Sequence, residues 1–280
     1  MTSTLQMTTD PEAIEIRLLL EGMHARYGYD FRNYAQASLR RRIHSRLDPE
    51  GVRSVSGLLE KILHDPGCME RLLRALTVHV TSMFRDPGFY RTFRGKIVDA
   101  LRTYPFVRIW HAGCSSGEEA YSMAILLEEE GLLKRCRIYA TDLSEDVLRD
   151  AKAGVFPLSE MKEYTANYLH AGGKRPFSDY YATDRKRALF RPALREAITF
   201  AQHNLVTDAS FNESNVILCR NVMIYFDRSL QDRVHKLLYE SLAPFGFLCL
   251  GRKESIRFTP FETCYEAVDD SERVYKKARS

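Results

Sequence analysis

The sequence predicts an α/β protein: a doubly wound, Rossmann-like domain with a C-terminal antiparallel hairpin and a small inserted β-subdomain, preceded by an all-helical N-terminal domain. Three observations predict it. About the first 80 residues place apolar side chains at helical spacing and show no strand pattern. Past Asp86-Pro87, short apolar strands alternate with helices, the pattern of a parallel sheet covered on both faces. Within that region, Val107-Arg-Ile-Trp-His-Ala-Gly-Cys-Ser-Ser-Gly-Glu-Glu-Ala-Tyr121 reads as buried strand, small-residue turn and helix, and Ile138-Tyr-Ala-Thr-Asp142 as the next strand, ending in an acid. Domain boundaries at 1–84 and 85–280 follow.

In order along the chain, a helix is expected from Pro11 to its stop at Gly28, with others at 32–47, 54–63 and 69–78, the last two separated by Asp65-Pro-Gly67. Strands are expected at 107–110, 137–141, 198–202, 215–219 and 247–250, with helices at 119–130, 145–153 and 230–242. Residues 263–268 and 273–276 read as a terminal hairpin. The connection before residue 198 is too long for a simple crossover. It is assigned to the inserted β-subdomain, at about 165–197.

Composition sets the class. The 280 residues suffice for one large domain and a smaller one, and 45% hydrophobic with 28% charged residues is ordinary for a globular protein. No apolar run reaches the roughly 18 residues of a membrane span, so no direct membrane insertion is expected. No secretory signal pattern is visible. Six scattered cysteines without a CxxC or Cys/His cluster indicate neither a zinc site nor a disulfide framework, so a cytoplasmic location and no metal are expected. A net charge of +4 does not argue for nucleic acid.

The turn Gly113-Cys-Ser-Ser-Gly117 lets a ligand approach the backbone, and a carboxylate at the tip of the second strand can accept both hydroxyls of a ribose. This is the signature of an adenosine-containing cofactor. The glycine pattern is not that of dinucleotide folds, and Glu118 and Glu119 follow at once. Acids at a helix start are poor neighbours for a pyrophosphate. They suit a cationic ligand, so S-adenosylmethionine (product S-adenosylhomocysteine) fits better than NAD.

Six segments resemble the chemotaxis-receptor glutamate O-methyltransferases, the CheR family. They are Thr81-Ser-Met-Phe-Arg-Asp86, Ala112-Gly-Cys-Ser-Ser-Gly-Glu-Glu-Ala-Tyr-Ser122, Ala140-Thr-Asp-Leu-Ser144, Gly154-Val-Phe-Pro-Leu158, His203-Asn-Leu-Val206 and Cys219-Arg-Asn-Val-Met-Ile-Tyr-Phe-Asp227. They occur in the family's order and span residues 75–255 or so. The resemblance implies a methyltransferase that uses S-adenosylmethionine to esterify receptor glutamates for sensory adaptation, with the helical domain serving substrate recognition and as a lid.

Asp142 is expected to bind the ribose. Spacing does not separate Glu118 from Glu119, and the resemblance points to Glu119 for the cofactor. Gly113 shapes the turn. By resemblance Asn204 and Leu205 flank the adenine, and Arg220 and Asn221 line the site at the fourth strand tip. Thr81 and Arg85, four residues apart, are expected to share a helix face, with Arg85 clamping a carboxylate bidentately. His79 occupies a cofactor position where the family often has asparagine. Arg85 and Tyr225 are the catalytic candidates, Tyr225 to orient the accepting carboxylate.

Arg40, Arg41, Arg42 and Arg46 lie on the helix expected at 32–47. Arg46 falls within its apolar stripe and Arg42 beside it. They suit acidic helices, and the resemblance names these as the cytoplasmic methylation helices of chemoreceptors. The inserted segment does not match the tethered forms of the family, so receptor binding without a C-terminal peptide is expected, by a monomer. The alternative is a non-catalytic S-adenosylmethionine-binding signalling adaptor, but Arg85, Asp142 and Tyr225 are all present. An RNA methyltransferase would show a stronger basic surface with aromatic platforms.

Overall fold

The computed structural model describes residues 10–77, 81–210 and 213–278. The chain divides into two compact units, one of residues 1–78 with Tyr225–Leu230, the other of the remainder.

The first unit is helical: α1 Pro11–Tyr27, α2 Gln36–Glu50, α3 Val55–His64 and α4 Pro66–Leu76. Local chemistry sets most of the ends. Asp10 caps α1 by accepting from the Glu12 N–H, Pro11 opens it, and Gly28 closes it in the left-handed region at φ 77°. Ser54 caps α3 through the Gly57 N–H. Asp65-Pro-Gly67 proves to be the start of α4 rather than a spacer, with Asp65 accepting from the Gly67 N–H and Pro66 in the first turn. The second helix starts four residues later than expected, at Gln36. Asn33, Tyr34 and Ala35 instead pair with the returning segment: Asn33 O accepts from Asp227 N, Tyr34 bridges Phe226, and Ala35 N donates to Tyr225 O. Leu19, Leu20, Met23, Leu39, Ile43, Leu58, Ile62, Leu72 and Leu76 form the buried core of this unit.

The second unit runs α5 Pro87–Thr92, a π turn Phe93–Ile97, α6 Val98–Arg102, β1 Val107–Ala112, α7 Glu118–Glu129, β2 Cys136–Asp142, α8 Glu145–Ala153, β3 Val155–Pro157, α9 Met161–His170, β4 Tyr181–Thr183, β5 Arg187–Phe190, α10 Pro192–Glu196, β6 Ile198–Gln202, β7 Ser214–Cys219, α11 Arg228–Ser241, β8 Leu242–Leu250, β9 Tyr265–Asp269 and β10 Val274–Lys277. The first residues of α11 belong to the helical unit. Seven strands form one sheet in the order β6-β2-β1-β7-β8-β10-β9. Its first five strands are parallel, and β10 and β9 complete it antiparallel as the expected hairpin.

A second, three-stranded antiparallel sheet, β3-β5-β4, is the inserted β-subdomain. Its strand β3 comes from ahead of the expected insert, and α9 lies inside it. The helices at 87–102 and 161–170 had not been singled out in the sequence.

The register positions the site. Ala112 of β1 lies beside Thr141 of β2, Asp142 beside Gln202 of β6, and Cys219 of β7 beside Leu250 of β8. The parallel strands therefore end in one row. The segments that follow them, beginning at Gly113, Leu143, His203, Arg220 and Gly251, emerge along one edge, where ligands of open α/β sheets bind.

Candidate active site

The small-residue turn is built by the neighbouring strand. Gly113 and Cys114 both donate to the Thr141 carbonyl, at 2.8 and 2.9 Å, and Ser115 N donates to Asp142 Oδ2 at 2.9 Å. Gly113 sits at φ 82°, and a Cβ there would lie 2.6 Å from Val222 Cγ2, so the turn excludes any other residue. Asp142 Oδ1 accepts from Ser144 N at 3.2 Å. Each carboxylate oxygen keeps a further acceptor position, which is what a ribose diol requires.

Behind this turn lies a partly buried chain of ionisable groups, with Arg220 and His111 buried and Glu119 and Asp86 partly exposed. Glu119 Oε2 accepts from Arg220 Nη1 at 2.8 Å, Glu119 Oε1 pairs with His111 Nδ1 at 3.0 Å, and Arg220 Nη2 donates to Asp86 Oδ2 at 2.9 Å. The Arg220 side chain is 1% exposed and its guanidinium lies 4.2 Å from the Phe89 ring centre. Burial pushes the Glu119 carboxyl up, but the Arg220 cation and the His111 hydrogen bond outweigh it and hold the group below its usual value. Glu118 points to different partners, Ser116 Oγ at 2.8 Å and Tyr164 OH at 3.4 Å. It lines a cavity of about 500 Å³ with Thr81, Asp150 and Glu160. Burial raises its carboxyl, and the two hydroxyls only partly compensate.

Glu254 is a residue the sequence reading missed. Its carboxylate accepts from Asn221 N, Val222 N and Met223 N, each at 2.8 Å, and from Gly251 N at 2.6 Å. It ties the loop after β7 to the loop after β8, and so sets the path of Arg220 and Asn221, the latter at φ 62°. His111 and Asp86 lay inside quoted motifs but carried no assigned role. A histidine among the apolar residues of a central strand was the available signal for the first; nothing local marks the others.

The remaining candidates divide. Asn204 is half-buried, its Oδ1 accepting from Val206 N at 2.9 Å and its N–H donating to Asp208 at 2.8 Å, and Leu205 is buried beside it. Residues 81–86 form a turn, with Phe84 at φ 52° and Asp86 at φ 57°. Thr81 and Arg85 therefore do not share a helix face as expected. Ser122 Oγ accepts from Phe84 N at 2.9 Å and holds that turn against α7. His79 lies outside the described residues.

Tyr225 clusters with the helical unit, where the Arg42 guanidinium lies 5.0 Å from its ring centre. Arg40 pairs with Glu12, and Arg46 with the buried Glu50, which Arg71 and Lys61 also hold. Arg41 is exposed. Among the described residues there is no cluster of metal-ligand type, and no helix is long and apolar enough to cross a membrane.

A parallel sheet with an antiparallel terminal hairpin, a glycine turn over the central strand, and a carboxylate at the next strand tip define an S-adenosylmethionine-dependent methyltransferase. The family model described as "CheR methyltransferase, SAM binding domain" matches residues 79–269, and that of the CheR all-alpha domain matches residues 14–77. The chain belongs to the CheR methyltransferase family, and its cofactor is S-adenosylmethionine. It is 47% identical over 275 residues to a Pseudomonas putida protein named Cher3, covering 98% of this chain and 100% of that one. It is 33% identical over 195 residues to "Chemotaxis protein methyltransferase 2" of Pseudomonas aeruginosa, 68% of each chain. To "Chemotaxis protein methyltransferase Cher2" of Pseudomonas putida it is 29% identical over 252 residues, 85% of this chain and 88% of the relative. The residues fit the cofactor: Asp142 has acceptor capacity for a diol, Glu119 is an ionised acceptor for an ammonium, and the Gly113 turn leaves no side chain in the way.

Proposed function

We propose that this chain transfers the methyl group of S-adenosylmethionine to glutamate side chains on the cytoplasmic methylation helices of chemoreceptors, forming glutamate methyl esters in sensory adaptation. The observation that carries this reading is the pair of carboxylates that flank the glycine turn after β1: Asp142 at the end of β2, which accepts from the turn at Ser115 N, and Glu119 in the first turn of α7. They suit a ligand with a ribose at one end and an ammonium at the other. The chemotaxis methyltransferases among the relatives support the substrate class. When bound, S-adenosylmethionine supplies a methyl group already activated by its sulfonium, so an accepting glutamate, ionised at neutral pH with a reference pKa near 4.3, needs no general base.

The protein's work is then placement and exclusion of water. Asp142 receives the ribose hydroxyls and Glu119 the ammonium. Asn204 and Leu205 flank the adenine, and Arg220 and Asn221 complete that edge on the loop held by Glu254. Arg85 holds a carboxylate, and the Tyr225 hydroxyl orients the acceptor. The helical unit, with the exposed Arg41 on α2, recognises the acidic helix, and the protein acts in the cytoplasm.

Calorimetry with S-adenosylmethionine and S-adenosylhomocysteine tests the site. Asp142→Ala is expected to weaken both about tenfold or more, about 1.4 kcal/mol. Transfer of labelled methyl groups to purified chemoreceptors, released as methanol by alkali, tests the reaction. Cofactor binding without transfer to any receptor favours the adaptor reading.

A further inference from the structure

We propose that His111 is a positioning residue for the cofactor's amino group: together with Arg220 it fixes the plane of the Glu119 carboxylate. The inference rests on the reading that Glu119 receives that group. A carboxylate held at one oxygen rotates about its last bond, and an arginine can prevent this by gripping both oxygens. Arg220 does not grip both. Its two terminal nitrogens diverge, Nη1 to Glu119 Oε2 at 2.8 Å and Nη2 to Asp86 Oδ2 at 2.9 Å. The second point of attachment is His111 Nδ1, 3.0 Å from Oε1. With both bonds in place the plane of the carboxylate is defined, and each oxygen keeps an acceptor position in a fixed direction.

The ring is suited to this. His111 is fully buried, one residue before the end of β1 at the centre of the sheet, and its backbone is in register with Ala140 and Leu218. Glu119 is ionised and can only accept, so His111 Nδ1 carries the proton of this bond. The other ring nitrogen, Nε2, is buried without a protein partner. A histidine kept only for packing would be costly here, because a buried polar atom left unsatisfied destabilises the fold.

The test is calorimetry with S-adenosylmethionine and S-adenosylhomocysteine on full-length wild type, Glu119→Gln, His111→Leu, His111→Asn, His111→Gln and the double variant Glu119→Gln/His111→Leu, with a thermal melt for each. His111→Leu should weaken both ligands about tenfold, and Glu119→Gln at least as much. The double variant should bind no worse than Glu119→Gln alone. Asparagine places its amide nitrogen near Nδ1 and should restore binding; glutamine places it nearer Nε2 and should not. Wild-type affinity in folded His111→Leu, additive losses in the double variant, or equal binding by the asparagine and glutamine variants overturns the proposal. If His111→Leu does not fold, the asparagine and glutamine pair decides alone. Unchanged affinity in Glu119→Gln overturns the reading of Glu119 itself, whatever His111 does.

Discussion

Glu118 and Glu119 are consecutive residues at the start of one helix, both withdrawn from solvent, yet they are driven in opposite directions. Glu118 faces Ser116 and Tyr164, and burial raises its carboxyl. Glu119 faces Arg220 and His111, and its carboxyl is held low. Their distance from the helix N-terminus is nearly the same, so the dipole does not separate them. What separates them is the partner: a hydroxyl compensates a buried charge weakly, whereas a guanidinium compensates it well. One helix turn thereby holds an acid whose ionisation is disfavoured beside one whose ionisation is favoured.

The largest test of this contrast removes the cation. Arg220→Ala leaves the partly buried Asp86 and Glu119 without their guanidinium, and is expected to cost about 2–4 kcal/mol in urea unfolding. Glu119 should then behave as Glu118 does, its carboxyl raised by burial. A loss under about 1 kcal/mol would mean that water, rather than Arg220, satisfies these acids.

A second test separates the two glutamates by pH. Both refer to a usual value of 4.5. The raised carboxyl of Glu118 leaves stability intact below that value and lowers it as pH rises from 4.5 toward the folded-state value. The lowered carboxyl of Glu119 contributes stability above 4.5 that is lost as pH falls through its folded-state value. Unfolding curves across pH should show Glu118→Gln flattening the first slope and Glu119→Gln the second. The same slope in both variants would break the comparison.

The smallest effect concerns the hydroxyls that serve Glu118. Ser116→Ala is expected to cost about 1 kcal/mol and to raise the Glu118 carboxyl further. Tyr164→Phe should cost less, because its bond is long at 3.4 Å. Carboxyl titration by NMR checks both, and an unmoved Glu118 in Ser116→Ala would assign its state to burial alone.

The comparison also separates what was legible in the chain from what was not. Local signals fixed the elements: Pro11 and Gly28 bracket α1, Ser54 caps α3, and apolar strands alternate with helices beyond residue 86. They also marked the glycine turn and the acid Asp142, because a turn that excludes side chains and a strand-end carboxylate are written within a few consecutive residues. Where a distant segment competed, local reading failed. Residues 32–35 continue a helical pattern, yet 33–35 pair with residues 225–227. Residues 81–86 look helical by spacing, yet Phe84 N is captured by Ser122.

By itself the sequence determined the two-part architecture, the family and the order of strands and helices around the glycine turn, because each depends on periodicity, capping and motifs that act over short stretches of chain. Only the tertiary structure decided that the two glutamates shift in opposite directions, that His111 and Arg220 hold Glu119, and that Glu254 gathers four amides across two loops. Arg220 is 101 residues from Glu119 and 134 from Asp86. No local pattern encodes such a pairing; it arises when parallel strands end in one row and bring those side chains together out of water.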